Sequence, residues 1–168
     1  LPAPARGEAV RLCGEALLAH LPPGRQVHCL GRSAPAGAGL DSRLDWTACD
    51  LTQTSPTALE AVATALPGSP QLWISFAPLW HLAPFLAALA RSHPEDLRPV
   101  RALVACSSSS VVTKRFAANR FDRELVASLT AAQHQLEAVC GAHRIPLRIL
   151  APTLIHGRTA HHADHNVE

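Results

Sequence analysis

The stretch that decides the fold is ALVACSSSSVVTK, residues 102–114, in which an apolar run ends in four consecutive serines. Ala102 to Cys106 form a short apolar run, which is typical of a buried strand in a parallel sheet. Ser107 to Ser110 supply the polar turn that ends such a strand. Because ligands of parallel sheets bind at the carboxyl ends of the strands, we expect this serine turn to lie at a binding edge.

Four further segments have the same strand character, because each is short, apolar or alternating and bounded by Pro, Gly or Ser. They are 26–30 (QVHCL), 46–51 (WTACDL), 72–76 (LWISF) and 147–150 (LRIL). Helices are predicted between the strands at 8–21, 55–66, 79–91 and 122–140. This alternation predicts an α/β, Rossmann-like, doubly wound parallel sheet with helices on both faces.

The last predicted helix carries one continuous apolar stripe, formed by Leu125, Leu129, Ala132, Leu136 and Val139. Steps of three and four residues place these side chains on one helical face, which we expect to pack against the sheet or a partner helix. Gly141 follows directly and is predicted to be the C′ residue that ends the helix.

Composition limits the classes of protein to which the chain can belong. The 168 residues are 48% hydrophobic and 17% charged, with a net charge of +2 and no basic run, so nucleic acid is not an expected partner. No apolar stretch is long enough to span a membrane, and Leu1 to Arg6 lacks the pattern of a signal peptide. The five cysteines are far apart and are expected to be reduced core thiols. We therefore predict a cytoplasmic protein that does not bind membranes.

Three segments in order carry a family resemblance: ALVACSSSSVVTK at 102–114, SLTAAQHQLEAVC at 128–140 and IPLRILAPTLIHG at 145–157. Together they resemble an extended short-chain dehydrogenase/reductase of the NAD-dependent epimerase/dehydratase, or nucleoside-diphosphate-sugar epimerase, family. The resemblance implies a Rossmann-like NAD(P)-binding domain over residues 1–157, with the substrate domain truncated. Residues 158–168 are interpreted as a polar, His-rich tail or loop, or as the start of the truncated substrate region.

The chain departs from the family at the residues that usually perform catalysis. In the family a helix carries Tyr-x-x-x-Lys. When Ala131-Ala132-Gln133 is aligned with the family's Ala-Glu on that helix, Leu125 falls at the tyrosine and Leu129 at the lysine. The chain contains no tyrosine at all. Ala151 stands where the family has arginine before Pro152, and His156 stands where a tyrosine usually precedes Gly157. The family's substrate and cofactor contacts at these positions are therefore not carried over.

The amino-terminal end also departs from a dinucleotide-binding pattern, in which a strand leads into a glycine-rich loop at a helix N-terminus. Here Gly7 and Gly14 bracket EAVRLC, and Val10 stands where a further glycine is expected. Gly7 and Gly14 are the candidates for the pyrophosphate contact. Three alternatives stay open: the first strand and its loop are not part of this sequence, they are disordered, or the phosphate cradle has degenerated.

Further cofactor contacts are predicted from position along the strands. Arg32 follows the strand that ends at Leu30, where an arginine accommodates a 2′-phosphate, so NADP is favoured over NAD. Asp50 resembles the adenine-side aspartate of the family, although it is equally compatible with turn chemistry. By the resemblance, the segment Phe76, Ala77 and Pro78 opens onto the cofactor. Pro152, at the end of the last strand, completes the predicted cofactor contacts.

Ser109 takes the place of the family's catalytic Ser/Thr, whose hydroxyl bonds the reacting substrate oxygen. Lys114 is the only lysine in the chain and is either a replacement for the missing helical lysine or an ordinary solvated side chain. The tail histidines His156, His161, His162 and His165 are not interpreted as a metal site, because a tail supplies neither fixed geometry nor supporting hydrogen bonds.

The resemblance implies a homologue that binds NAD(P) and a nucleotide sugar or a similar hydroxy compound, and that forms a homodimer. Because the Tyr/Lys pair is absent, whether the chain is an enzyme stays open. One alternative is a non-catalytic dinucleotide-binding or redox-sensing module. The other is a structural oligomeric subunit whose apolar helix stripe serves an interface.

Overall fold

The computed structural model describes residues 16–22, 24–34 and 42–152 in full and the backbone of 155–159 and 162–167. The chain divides into two compact units, one of Leu51–Thr153 and one that groups Leu1–Asp50 with Leu154–Glu168. Each unit is described by itself. The prediction of one domain over residues 1–157 stays a prediction.

The first unit contains a pair of parallel strands, β1 (Val27–Gly31) and β2 (Leu44–Ala48), and residues 16–20 are helical. β2 begins two residues before the predicted 46–51, at Leu44, and ends at Ala48. In the structure the Nδ1 atom of His28 lies 3.1 Å from Oδ2 of Asp45, and Nε2 lies 3.0 Å from Oγ1 of Thr47. These cross-strand hydrogen bonds accommodate the polar side chains within the pair.

The second unit contains three parallel strands in the order β3, β4, β5, with the bounds Gln71–Ser75, Val100–Cys106 and Leu147–Leu150. Helix α1 (Pro56–Ala65) precedes β3, and α2 (Leu79–Ser92) with a 3-10 helix (Pro94–Leu97) connects β3 to β4. The short α3 (Ser110–Thr113) and the long α4 (Arg120–Ala142) connect β4 to β5. Parallel strands joined through helices confirm the predicted α/β class.

The core of this unit lies where α2 and α4 pack together. Its largest fully buried side chains include Leu79, Leu86 and Leu89 of α2, Leu103 of β4 and Leu136 of α4. Alternate residues of the strands point the other way, and there Leu72, Ile74 and Leu150 are exposed.

Helix α4 does not end at Gly141, and that prediction is wrong. The helix continues to Ala142, and the left-handed residue is Arg144, with a φ of 56°. The amide of Ile145 donates to the carbonyl of Cys140, and that of Arg144 donates to Gly141, which is the Schellman pattern. Ile145 is 5% exposed. Burial of this side chain outweighs the strain of a non-glycine residue in the left-handed region.

The His-rich tail forms two strands rather than the predicted loop. β6 (Ile155–Thr159) pairs antiparallel with β7 (His162–Val167). No apolar period signalled these strands, because backbone N–H and C=O groups make the ladder whatever the side chains are. The interpretation of 158–168 as a loop is therefore wrong.

Two further expectations concern membranes and thiols. Among the described helices, none has the length and apolar character to cross a bilayer. Three described cysteines, Cys29, Cys49 and Cys140, are free thiols. Burial raises the pKa of the Cys29, Cys49 and Cys140 thiols, with smaller contributions from the charges of Asp45 at Cys29 and Asp50 at Cys49. These three thiols are therefore held in the protonated, less reactive form.

Candidate functional site

The candidate site lies at the carboxyl edge of the β3, β4 and β5 sheet. The amide of Ser107 donates to the carbonyl of Leu150 at 2.7 Å, which extends the β4 and β5 ladder beyond the strands. The amide of Ser109 then donates to the carbonyl of Pro152 at 3.3 Å. Two predicted site residues, Ser109 and Pro152, are thereby brought together although they are far apart in the sequence.

The segment after β3 belongs to the same edge. Ser75 is paired with Ala105 in parallel register, so Phe76, Ala77 and Pro78 leave the sheet beside the serine turn that follows β4. All three are partly buried, and Pro78 is the N-cap residue that directly precedes α2. Three consecutive strand ends therefore converge where a doubly wound sheet binds its ligands.

The hydroxyl of Ser109 has no hydrogen-bond partner among the described residues, and the residue is partly buried. Its neighbours are engaged with each other, since Ser108 Oγ donates to Ser110 Oγ at 2.9 Å and accepts the Ser110 amide. The division of roles within the serine run is thus visible: Ser108 and Ser110 shape the turn, as the sequence indicated, and Ser109 presents an uncommitted hydroxyl.

Ser107 is a polar residue that the sequence interpretation treated only as a turn former. Its Oγ atom is buried without a hydrogen-bond partner among the described residues. A buried hydroxyl that lacks a partner costs about 1–3 kcal/mol, which a polar ligand atom at this edge can recover. The available sequence signal was the position of Ser107 directly after the apolar run of the strand. Because four serines follow one another, the sequence gave no means to tell Ser107 from its neighbours.

Past the serine turn, Lys114 and Asp122 form an ion pair with a distance of 2.9 Å between Nζ and Oδ1. The side-chain amide of Asn119 forms two hydrogen bonds with Asp122: its Oδ1 accepts the Asp122 backbone amide, and its Nδ2 donates to Asp122 Oδ2. The hydrogen bonds from Asn119 and Lys114 hold the pKa of the Asp122 carboxyl below its ordinary value. Lys114 is therefore paired with a carboxylate, while its side chain remains 42% exposed to solvent.

The two helical positions that align with the family's tyrosine and lysine are occupied by leucines that are partly or fully buried. Leu125 is partly buried, whereas Leu129 is only 2% exposed and belongs to the core. Neither side chain can donate or accept a proton. His134 lies further along α4 and is exposed.

The predicted cofactor residues of the first unit are only partly described. Arg32 follows β1 directly and is exposed, as a residue that contacts a ligand phosphate should be. Asp50 follows β2 and is partly buried. Gly7 and Gly14 lie outside the described residues, as do the side chains of His156, His161, His162 and His165.

No protein-family model matches the sequence, and no curated protein matches it either. Solved structures do match. One is a short-chain dehydrogenase from Streptomyces avermitilis, with 16% identity and a TM-score of 0.58 over 84% of this chain and 61% of the other. A carbonyl reductase from Pseudomonas aeruginosa PAO1 has 17% identity and a TM-score of 0.56, over 89% of this chain and 78% of the other.

A third similar structure, described as a short-chain alcohol dehydrogenase from Burkholderia multivorans, has 13% identity and a TM-score of 0.52. It is matched over 90% of this chain and 79% of its own. The chain thus spans 61% of the Streptomyces protein and a larger share of the other two. At these identities the likeness concerns the fold, so the chain has the Rossmann-like α/β fold of short-chain dehydrogenases/reductases.

Proposed function

We propose that the chain is a dinucleotide-binding homologue of the short-chain dehydrogenases/reductases that performs no ordinary tyrosine-dependent hydride transfer. The observation that carries the proposal is the Ser109 hydroxyl, which lies at the converging strand ends without a hydrogen-bond partner among the described residues. The two helix positions that align with the family's tyrosine and lysine are both leucine. The fold therefore provides a sheet edge at which a ligand can bind. The Ser109 hydroxyl can form a hydrogen bond there, but no acid/base side chain accompanies it at the family's helix positions.

The cofactor we propose is NADP(H) in preference to NAD(H). Arg32 stands exposed after β1, and no acid follows it before Asp41, so a 2′-phosphate is favoured over a ribose 2′-hydroxyl. A guanidinium can bind a phosphate through two parallel hydrogen bonds, which gives it geometric as well as electrostatic selectivity. Phe76, Ala77, Pro78 and Pro152 are the proposed contacts at the sheet edge.

Hydride transfer in the family needs a general acid/base, and this chain lacks the residues that provide it. In the family mechanism a tyrosine phenol exchanges a proton with the substrate hydroxyl, and a lysine one turn later lowers its pKa from about 10. Leucine at both positions removes the proton carrier and the positive charge. Such general acid/base catalysis contributes about 10² to 10⁴-fold, so Ser109 alone supports residual turnover at most. His134 lies nine residues beyond Leu125, about 13 Å along the helix axis, which is too far to replace the phenol.

For the second ligand we propose a nucleotide sugar or a similar hydroxy compound, a proposal that rests on the motif resemblance to epimerases/dehydratases. The neighbours are described as a short-chain dehydrogenase, a carbonyl reductase and a short-chain alcohol dehydrogenase, so simple alcohols and carbonyl compounds belong in the same screen. A homodimer and a cytoplasmic location complete the proposal.

The test is a calorimetric titration of the full chain with NADPH, NADH and a panel of UDP-sugars, supported by thermal shifts. A ligand that binds the folded state raises its apparent stability by mass action. We expect NADPH to bind and the nicotinamide absorbance to stay constant with nucleotide sugars and simple alcohols. No binding of either dinucleotide would overturn the proposal and favour a structural subunit.

A matched set of variants tests which side chain, if any, acts as the acid/base. Ser109→Ala removes the uncommitted hydroxyl, and His134→Ala is the control on the same helix as Leu125. Leu125→Tyr restores the phenol at a partly buried position without disturbing the core. Robust turnover in the unmodified chain that survives His134→Ala and disappears with Ser109→Ala would show that the acid/base has been misplaced.

A further inference from the structure

We propose that His93, Glu95 and Asp96 form a binding site for a divalent transition-metal ion, for which zinc is the probe. Each residue offers one ligand atom, and these atoms all lie within 4.8 Å of one another. Ligands at about 2.1 Å from a common metal are separated by roughly 3–4 Å. Small side-chain rotations therefore bring the three donors to coordination distance.

The backbone builds this arrangement at the end of α2. The amide of His93 caps the helix by donating to the carbonyl of Leu89, and Pro94 then starts the 3-10 helix. The amide of Asp96 donates back to the carbonyl of His93 at 3.2 Å, which closes the turn. In consequence Nδ1 of His93 lies 3.9 Å from Oδ2 of Asp96.

A second observation comes from a different helix. Oε2 of Glu60, on α1, lies 3.5 Å from Nε2 of His93. A histidine that binds a metal through one ring nitrogen usually donates its other N–H to a carboxylate, which sets the tautomer and orients the ring. Glu60 is placed for this supporting role and leaves Nδ1 to the metal. The His93 side chain is 17% exposed, so its ring is held by packing.

The charge around His93 favours a cation. Within residues 51–152, no Lys or Arg side chain forms an ion pair with Glu60, Glu95 or Asp96. The carbonyl end of α2 carries the negative pole of the helix dipole and adds to the attraction. Three carboxylates beside a single imidazole leave an excess of negative charge that a divalent ion neutralises.

The donor set also selects the kind of ion. Imidazole nitrogen suits zinc and its neighbours among the transition metals, whereas Ca²⁺ takes six to eight oxygen ligands and Mg²⁺ prefers oxygen donors and keeps much of its water shell. One nitrogen and two carboxylates leave coordination positions for solvent. The ion would fix the junction between α2 and the 3-10 helix and draw in α1 through Glu60, so the expected consequence is added stability.

Calorimetric titration of the full chain with zinc chloride tests the site, with one complication. His156, His161, His162 and His165 provide competing imidazoles, so each measurement is repeated in a variant in which all four are alanine. In that tail variant we expect one zinc site to remain, with a matching rise in melting temperature. Adding His93→Ala should abolish this site.

Two milder variants separate ligation from structure. Glu60→Gln keeps the shape of the supporting side chain but removes its charge, and we expect zinc affinity to fall by about 10 to 100-fold. Asp96→Asn should lose most of the affinity while the metal-free chain melts near the unmodified temperature. His143→Ala lies on the loop after α4 and serves as the control that leaves zinc affinity unchanged. Zinc binding that disappears with the tail histidines, or that survives His93→Ala in the tail variant, overturns the proposal.

Discussion

Lys114 and Asp122 are joined by an ion pair of 2.9 Å that links the end of α3 to the first turn of α4. Asn119 holds the same carboxylate and lowers the pKa of Asp122 together with Lys114. A carboxyl whose pKa is lower in the folded state stabilises that state above the unfolded pKa, which is near 3.8 here. This contribution is lost as the pH falls through the folded value.

We therefore predict that Asp122→Asn lowers the free energy of unfolding above about pH 5 and that the difference from the unmodified chain vanishes in acid. Urea denaturation at a series of pH values measures it. Glu124→Gln is the control, because its partner Arg120 is exposed and such pairs contribute little. A difference between the Asp122 variant and the unmodified chain that is constant with pH would contradict the assignment.

We predict that two substitutions at the end of α4 stabilise the chain. Gly141 lies inside the helix, and a Cβ added there meets nothing within 4 Å, so Gly141→Ala should raise the free energy of unfolding by about 0.5–1 kcal/mol. Arg144 adopts a φ of 56° and is the position that needs glycine, so Arg144→Gly should also stabilise, by roughly 0.5–1 kcal/mol. Chemical denaturation of each variant and of the pair checks both values.

Gly24 provides the opposite case, since its φ of 81° is one that L side chains rarely adopt. A Cβ there also meets nothing within 4 Å, so any cost of Gly24→Ala comes from the backbone alone. We expect that substitution to destabilise the chain. If Gly141→Ala and Gly24→Ala changed stability in the same direction, the backbone argument would fail.

Arg32 should determine the choice of dinucleotide. Because its guanidinium is exposed after β1, we expect NADPH to bind more tightly than NADH and Arg32→Ala to narrow the difference. A charged hydrogen bond to phosphate is worth about 1.5–3 kcal/mol, which corresponds to a loss of roughly 10 to 100-fold in NADPH affinity. Calorimetry with both dinucleotides measures this, and Arg25→Ala, at a second exposed arginine before β1, is the control. Equal affinities in the unmodified chain would defeat the prediction.

The proposed homodimer can be tested at an open groove between α2 and α4. Small side chains line it, among them Ala90, Ala138 and Ala142. Because Ala138 and Ala142 are exposed, Ala138→Arg should weaken association without unfolding the chain. Leu129→Asp would be a poor test, since Leu129 belongs to the core. Sedimentation should show a dimer at roughly tens of micromolar, where a standard interface is populated, and a monomer there would count against it.

Most of the fold could be predicted because its signals are local. The apolar run before Ser107 is β4, and β5 matches its predicted bounds of Leu147 to Leu150. The helix predicted at 55–66 is α1, which begins at Pro56 after its N-cap Ser55, whose hydroxyl accepts the Ala58 amide. The same reasoning began α4 at Asp122 because it did not use the N-cap signal of Asn119, whose side chain accepts the Asp122 amide.

The errors arose where a distant contact outweighed a local preference. The strand predicted from Trp46 begins at Leu44, and it includes Asp45, which His28 on the neighbouring strand binds. Gly141 was expected to end α4, but burial of Ile145 carries the helix past it and places Arg144 in the left-handed region. The β6 and β7 hairpin depends on backbone pairing that side-chain periodicity does not reveal.

The sequence by itself determined the order of β1 to β5 and of α1, α2 and α4, and the absence of tyrosine, because periodicity, capping and residue identity are properties of neighbouring residues. Only the tertiary structure decided which polar groups meet. The amide of Ser109 reaches the carbonyl of Pro152, and His93 stands between Glu60 and Asp96. These contacts join residues of separate elements, and their geometry is set by how α1, α2 and α4 bury their apolar faces, which no local pattern encodes.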